Sequence, residues 1–187
     1  DFPGNAQLYI IGKDGGKATQ VTSLPISDLS INSDGKILYE DYKGYEDPLR
    51  KHHTSSVTRD IWLYEPAADE GTKISANGKF TKVSSFKGED RNPVFAKDGK
   101  TFYYLSEQDG TINIYRSNID NPKKSEQLTF HKTHPVRHLS ISDNGILCYS
   151  YDGELYTLED GQESRKVNIR LLSDQTEMPV TERTLAS

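Results

Sequence analysis

Apolar and polar positions alternate over short stretches along most of the chain. The stretch from Arg91 to Phe130 shows this best, with four segments rich in β-branched and aromatic residues, at 94–96, 101–105, 111–116 and 126–130. Asp98-Gly99, Asp109-Gly110 and a Pro-Lys-Lys loop separate these segments. Asp-Gly between alternating apolar runs is the strongest short-range hairpin signal. The pattern therefore predicts a four-stranded antiparallel meander with two apolar faces.

Landmarks of this unit recur along the chain at the same two spacings. They are the turns Asp34-Gly35, Asp98-Gly99 and Asn144-Gly145, the apolar residues Ile31, Phe95 and Ile141 before them, and the tyrosines Tyr39, Tyr103 and Tyr149 after them. An aromatic residue follows on a later strand of each unit, at Trp62, Tyr115 and Tyr156. A repeat of about 40–46 residues with four strands is typical of a β-propeller blade.

We therefore predict an all-β fold: a partial β-propeller of about three and a half four-stranded antiparallel blades, in a single domain over 1–187. The predicted segments are a half blade at 7–24, blades at 26–86, 91–130 and 136–173, and a connection towards a further blade at 174–187. The blade at 26–86 carries two insertions, at 42–58 and 66–78. Insertions in repeats map to loops, which either are tolerated without function or contact a partner domain or substrate. The first insertion contains Arg50, Lys51, His52 and His53.

Charge and composition exclude some classes of function. The net charge is −5, and no run of Lys or Arg exceeds two. Nucleic-acid binding requires a concentrated basic surface, so we expect none. No apolar run is long enough to span a membrane. The single Cys148 excludes an internal disulfide and is expected to be a small buried side chain.

Two groups of residues contain side chains typical of metal-binding or catalytic sites. His131, His134 and His138 lie on a predicted linker and strand, without the spacing typical of metal sites. Thr54-Ser55-Ser56 beside His53 lacks the strand–turn–helix context of a serine nucleophile. We therefore predict no catalytic residue, metal or cofactor.

The beginnings of the inner strands are the more informative polar positions. In a propeller the inner strands line the central channel, so side chains there contact whatever enters it. An alternative is that Arg91 and Arg137 bridge neighbouring blades through backbone carbonyls, and the sequence leaves both interpretations open. The neighbouring pair Glu89-Asp90 is expected to be solvated. The candidate channel residues are Asp28, Asp90, Arg91, Asn92, His134, Arg137 and His138.

The repeats resemble those of TolB-like propellers, as shown by Phe95–Gly99, Asn113-Ile114-Tyr115 and Gln127-Leu128-Thr129. Such repeats also occur in the propellers of prolyl-oligopeptidase-type enzymes and tricorn proteases. The stretches 44–64, 88–116 and 134–158 look most like the N-terminal propeller of exported bacterial tricorn-like serine proteases.

This resemblance implies a non-catalytic ring that filters peptides for a proteolytic core in a later domain. It also implies a periplasmic or exported protein, with peptides or domains of the parent protease as partners. Because only part of a ring is covered, we expect a fragment whose open faces self-associate. The alternatives are a TolB-like envelope propeller that binds proteins and the gating propeller of a prolyl-oligopeptidase-type peptidase.

Overall fold

The computed structural model describes residues 6–22, 24–45, 55–67 and 78–170. Within these ranges the regular structure consists of strands, arranged in one two-stranded and three four-stranded antiparallel sheets. The described residues include no helix long and apolar enough to cross a membrane. The predicted all-β fold of successive meander sheets is confirmed.

Each sheet follows the order of the chain. The half blade pairs β1 (Leu8–Ile10) with β2 (Thr19–Thr22). Blade 1 contains β3 (Ile26–Ile31), β4 (Ile37–Asp41), β5 (Ile61–Glu65) and β6 (Lys79–Lys82). Blade 2 contains β7 (Asp90–Phe95), β8 (Thr101–Ser106), β9 (Asn113–Asn118) and β10 (Glu126–Gln127). Blade 3 contains β11 (Arg137–Ile141), β12 (Leu147–Tyr151), β13 (Glu154–Leu158) and β14 (Arg165–Lys166).

The first hairpin of blade 2 is one residue longer than its counterparts. A backbone N–H closes each turn onto a carbonyl, with N···O distances of 3.1 Å from Asn32 to Lys36 and 2.9 Å from Ser142 to Ile146. In blade 2 the corresponding bond, of 2.8 Å, runs from Ala96 to Thr101, one position further along the chain. Lys100, directly after the turn, is the additional residue.

This extra residue changes which face of the sheet each following side chain occupies. Because side chains alternate across a strand, a shift of one residue exchanges the two faces. Tyr39 and Tyr149 face the preceding blade, whereas Tyr103 packs on the following one. The predicted equivalence of Tyr103 to Tyr39 and Tyr149 is therefore wrong, and Tyr104 occupies the equivalent position.

Aromatic cross-strand pairs fill the interfaces between blades. Each pair faces the preceding sheet, and in blades 2 and 3 the ring centroids of the pair are 5.9 and 5.5 Å apart. Tyrosine suits this place because its ring is buried while its hydroxyl reaches a polar group. The result is an apolar layer between each two successive sheets. The pairs are Tyr39 with Trp62, Tyr104 with Tyr115, and Tyr149 with Tyr156.

One backbone hydrogen bond recurs at every blade-to-blade junction. The N–H of the first residue of each inner strand, or of the residue just before it, donates to the preceding sheet. The acceptor is a carbonyl one or two residues before the third strand of that sheet, which is β1 in the half blade. These bonds measure 3.0 Å from Ile26 to Ala6, 3.0 Å from Asp90 to Arg59, and 2.9 Å from Val136 to Ile112. Since the bond is independent of side-chain identity, it holds the inner strands at matching depth although the sequences differ.

Candidate functional site

The inner strands β3, β7 and β11 lie side by side around one open cavity of about 390 Å³. Ile31, Phe95 and Ile141, equivalent by sequence, all line it. Polar groups also line the cavity, among them Ser142 and Asp143. The described blades therefore form an arc with this cavity on its inner edge, which we call the channel side.

Each inner strand has a bulge at the same repeat position. Asp28, Asn92 and His138 have φ of 35°, 52° and 55°, in the left-handed region. The pairing register with the second strand shifts at these residues in all three blades. Asn, Asp and His tolerate this conformation better than other non-glycine residues, and bulges redirect side chains beside functional sites. These three residues are among the predicted candidate positions, but the bulges were not predicted. The signal for the bulges was the presence of Asp, Asn and His at equivalent positions of the three repeats.

Asn92 connects all three blades. Its side-chain oxygen accepts a 2.7 Å hydrogen bond from the N–H of Leu139 in blade 3. Its own N–H donates to Oε2 of Glu40 in blade 1, at 2.9 Å. The residue of blade 2 equivalent to Leu139 is Pro93, which has no N–H, so Asp28 cannot receive the corresponding bond. The two interfaces are therefore held together differently at the channel.

Glu40 is a fully buried carboxylate at the interface of blades 1 and 2. Besides the N–H of Asn92, it accepts hydrogen bonds from the guanidinium of Arg59 and from the hydroxyl of Ser27, the latter at 2.7 Å. Burial raises the pKa of Glu40, while Arg59 and the hydrogen bonds oppose that rise. In blade 2 the positions of Glu40 and Arg59 hold Leu105 and Ile112, so an ion pair at one interface replaces an apolar contact at the next.

Glu89 and Asp90 are both buried, which corrects the prediction that they are solvated. Glu89 accepts a 2.6 Å hydrogen bond from Nη2 of Arg91, whose side chain is 14% exposed and is thus largely withdrawn from the channel. Asp90 differs, because neither carboxylate oxygen has a hydrogen-bond partner among the described residues. Burial raises the pKa of Asp90 to about 7, although nearby Ser106 and Ser84 hydroxyls lower it.

The histidines of the last linker have separate surroundings. His131 stacks on Tyr151 with 3.8 Å between ring centroids, and its Nε2 lies 3.1 Å from the hydroxyl of Tyr149. Burial lowers the pKa of His131. His134 lies beside Arg137, with Nε2 3.4 Å from Oδ1 of Asp152. In the described part of the chain, no group of three His, Cys, Asp or Glu residues is arranged to hold a metal ion.

Arg50, Lys51, His52 and His53 lie outside the described residues, as does the connection 174–187. Cys148 is half-buried rather than buried, because it lies on the face of blade 3 turned away from blade 2.

These features define the class of the fold: the described part of the chain is a partial β-propeller, and its fold is similar to that of TolB. It superimposes on TolB from Acinetobacter baumannii with a TM-score of 0.66 and 18% identity, covering 90% of this chain and 39% of that one. Putative TolB from Agrobacterium tumefaciens gives a TM-score of 0.66 and 19% identity, covering 88% of this chain and 57% of that one. No protein-family model matches the chain.

Sequence similarity extends to a tricorn protease. The chain is 27% identical to the tricorn protease of Thermoplasma volcanium over 159 residues. These residues make up 85% of this chain but only 14% of that protease. The predicted resemblance to the propellers of tricorn-like proteases is thereby confirmed.

Proposed function

We propose that the chain is part of a non-catalytic propeller whose channel admits extended peptides to a proteolytic core carried elsewhere in the parent protein. The observation that carries this proposal is the convergence of Ile31, Phe95 and Ile141 on one open cavity. Apolar side chains at equivalent positions of the three inner strands, with polar groups between them, suit the binding of peptides of different sequence. The similarity to a tricorn protease supports a proteolytic partner.

Binding in the channel is tested with an extended peptide that carries a nitroxide spin label. In NMR spectra of the isotopically labelled chain, we expect broadening of the Ile31, Phe95 and Ile141 signals. Signals of Lys123, exposed on an outer loop of blade 2, should stay sharp. Broadening confined to outer surfaces would contradict the channel and favour a protein-binding platform.

A pair of substitutions on blade 3 provides the matched control. Ile141→Arg places a large charged side chain in the cavity and should abolish the broadening. Leu155→Arg changes a side chain of similar size that is 41% exposed and lies outside the cavity, and it should leave the broadening unchanged. Circular dichroism checks that both variants fold, and equal effects of the two would argue against the channel. The chain itself should show no peptidase turnover.

We further propose that the uncovered faces of the arc bind a second copy of the chain. On the half blade, Tyr9 is 53% and Ile11 56% exposed, and on blade 3 Leu155 is also exposed. Apolar sheet faces of this kind favour association. Light scattering should show a mass that rises with concentration, and that rise should be smaller for Leu155→Arg. A constant monomer mass would contradict it.

A further inference from the structure

A second cavity, which we call the perimeter cleft, lies between blades 2 and 3. The turn 142–145 of blade 3 contributes Ser142 to the first cavity and Gly145 to this one. The perimeter cleft has a volume of about 360 Å³ and opens beside two turns of blade 3, at Gly145 and Gly161. A Cβ atom built on either glycine would meet no other atom within 4 Å, so the space beside both turns is open. None of the site residues predicted from the sequence lines this cavity.

Three equivalent positions hold different types of residue at the two interfaces between blades, and this difference accounts for the cavity. At the interface of blades 1 and 2, three apolar side chains occupy the equivalent place and pack in a single cluster. At the interface of blades 2 and 3, a tyrosine and two charged residues hold these positions and line the cavity. In the same order, the positions hold Leu38, Leu63 and Ile119 at the first interface and Tyr103, Arg116 and Asp160 at the second.

Arg116 is already engaged by carboxylates on both sides of the cleft. Its Nη1 donates to Oδ1 of Asp160 at 2.7 Å, and its Nη2 donates to Oε2 of Glu126 at 2.7 Å. The ion pair with Asp160 joins blade 3 to blade 2. Because both pairs occupy the guanidinium, a bidentate carboxylate ligand would have to displace one of them.

The remaining charge of the cleft is negative. Glu126, Glu159 and Asp160 oppose the single cation Arg116 among its lining residues. Glu159 has no ion-pair partner in the part of the chain that the structure describes. A cation entering the cleft would therefore gain carboxylate contacts without breaking one of the ion pairs of Arg116.

The floor and the rim of the cleft are apolar. Leu128, Leu147 and Leu158 contribute to the lining, and the last two belong to the core between the blades. Phe130 stands at the cleft with 67% of its surface exposed. An exposed aromatic ring beside acidic groups is suited to contact a cation over its face.

We propose that this perimeter cleft binds a lysine or arginine side chain of a polypeptide. The aliphatic stem lies against Tyr103 and the leucines, and the charged end reaches Glu159 and Phe130. Long cationic side chains commonly bury their stems and leave the charge at a polar rim. This proposal does not depend on the channel, since the two cavities share no lining residue.

The test uses the complete chain, labelled with ¹⁵N, and three small probes. Nα-acetyl-lysinamide should shift the amide signals of Gly145 and Gly161. Nα-acetyl-norleucinamide has a similar stem but no charge and should shift them much less at the same concentration. Nα-acetyl-glutamate amide should not shift them, and shifts by this probe equal to or larger than those by the lysine probe would overturn the proposal.

Two matched variants test the acidic rim. Glu159→Gln should weaken binding of the lysine probe about two- to fivefold, the range for loss of one solvent-exposed ion pair. Glu163→Gln changes an exposed glutamate on the same hairpin that does not line the cleft, and it should leave the affinity unchanged. Equal affinities for the two variants would overturn the assignment of Glu159.

A third variant refills the cleft. Tyr103→Leu, Arg116→Leu and Asp160→Ile together copy the apolar side chains of the neighbouring interface and should eliminate the shifts. If this variant binds the lysine probe as the wild type does, the site is elsewhere. Should the triple variant not fold, the comparison of Glu159→Gln with Glu163→Gln decides the question alone.

Discussion

The side-chain oxygen of Asn92 lies 2.7 Å from the backbone nitrogen of Leu139, so a residue in the left-handed conformation on one inner strand holds the next inner strand. The bulge and the hydrogen bond depend on each other, because the bulge turns the amide towards blade 3. Asn combines the two requirements, since it tolerates positive φ and carries an acceptor.

Substitutions of Asn92 separate these two contributions. Asn92→Ala loses the hydrogen bond and strains the backbone, and should lower the free energy of unfolding by about 2–3 kcal/mol. Asn92→Gly loses only the side-chain contact and should cost about 1 kcal/mol. Urea denaturation measures both values. If alanine were no worse than glycine, positive φ would not matter at this position.

The buried carboxylate of Asp90 should make stability depend on pH. Its pKa of about 7 in the folded protein exceeds the ordinary value of 3.8, so the folded state retains the proton over that interval. The free energy of unfolding should therefore fall as pH rises from about 4 to about 7. Asp90→Asn should remove this decline and be the more stable protein at pH 8, by at most about 4 kcal/mol. Urea denaturation at a series of pH values measures the difference.

Asp98 provides a control of opposite sign. Burial acts to raise its pKa, but hydrogen bonds from Thr101 and from the N–H of Lys100 hold the pKa below its ordinary value. Its contribution is thus present at neutral pH and is lost as pH falls through the folded pKa. Asp98→Asn should be less stable than the wild type at pH 7, with the difference vanishing in acid. A profile like that of Asp90→Asn would contradict this assignment.

The ion pair of Glu40 and Arg59 should be replaceable as a pair but not singly. Glu40→Ala leaves a guanidinium partly buried without its partner and should cost about 3–5 kcal/mol. Changing both residues to those of blade 2, Glu40→Leu with Arg59→Ile, should recover most of that loss. A double variant as unstable as Glu40→Ala would show that the carboxylate is required for the N–H of Asn92 rather than for Arg59.

Deletion of Lys100 tests whether this extra residue accounts for the one-residue shift between the first turn of blade 2 and the faces of β8. The shortened hairpin would match those of blades 1 and 3, with Tyr103 still facing blade 3. We expect a cooperative fold that is less stable by about 1–2 kcal/mol, because contacts of Lys100 with Asp98 and Ile119 are lost. Deletion of Tyr103, inside β8, exchanges the two faces and should prevent folding. Thermal denaturation distinguishes the two outcomes.

Much of the fold was predictable because its signals are local. Asp34-Gly35 and Asp98-Gly99 turn where the sequence predicts, since glycine adopts the positive φ that these turns require. Trp62, Tyr115 and Tyr156 are equivalent, because each pairs with the tyrosine of the second strand that faces the preceding sheet. Tyr103 was misplaced since its position was counted from a turn, and such a count cannot detect an extra residue after it.

The candidate site was less predictable because burial of charge is decided by neighbouring blades. Nothing near Asp90 in the sequence indicates that blade 1 covers it. Glu40 occupies a position that is apolar in the next blade, so its role appears only when Arg59 and Asn92 are brought to it. The perimeter cleft likewise arises from three substitutions distant in sequence, which meet only after the sheets pack.

The missing N–H at Pro93 means that blades of this arc are not interchangeable parts. If blade 2 were duplicated in tandem, Pro93 of the second copy would face Asn92 of the first and leave its amide oxygen without a donor. Lengthening the ring by copying blade 2 would thus remove the hydrogen bond to Asn92 at the new interface. The order of the units is therefore constrained by the fit between the inner strands of neighbouring blades.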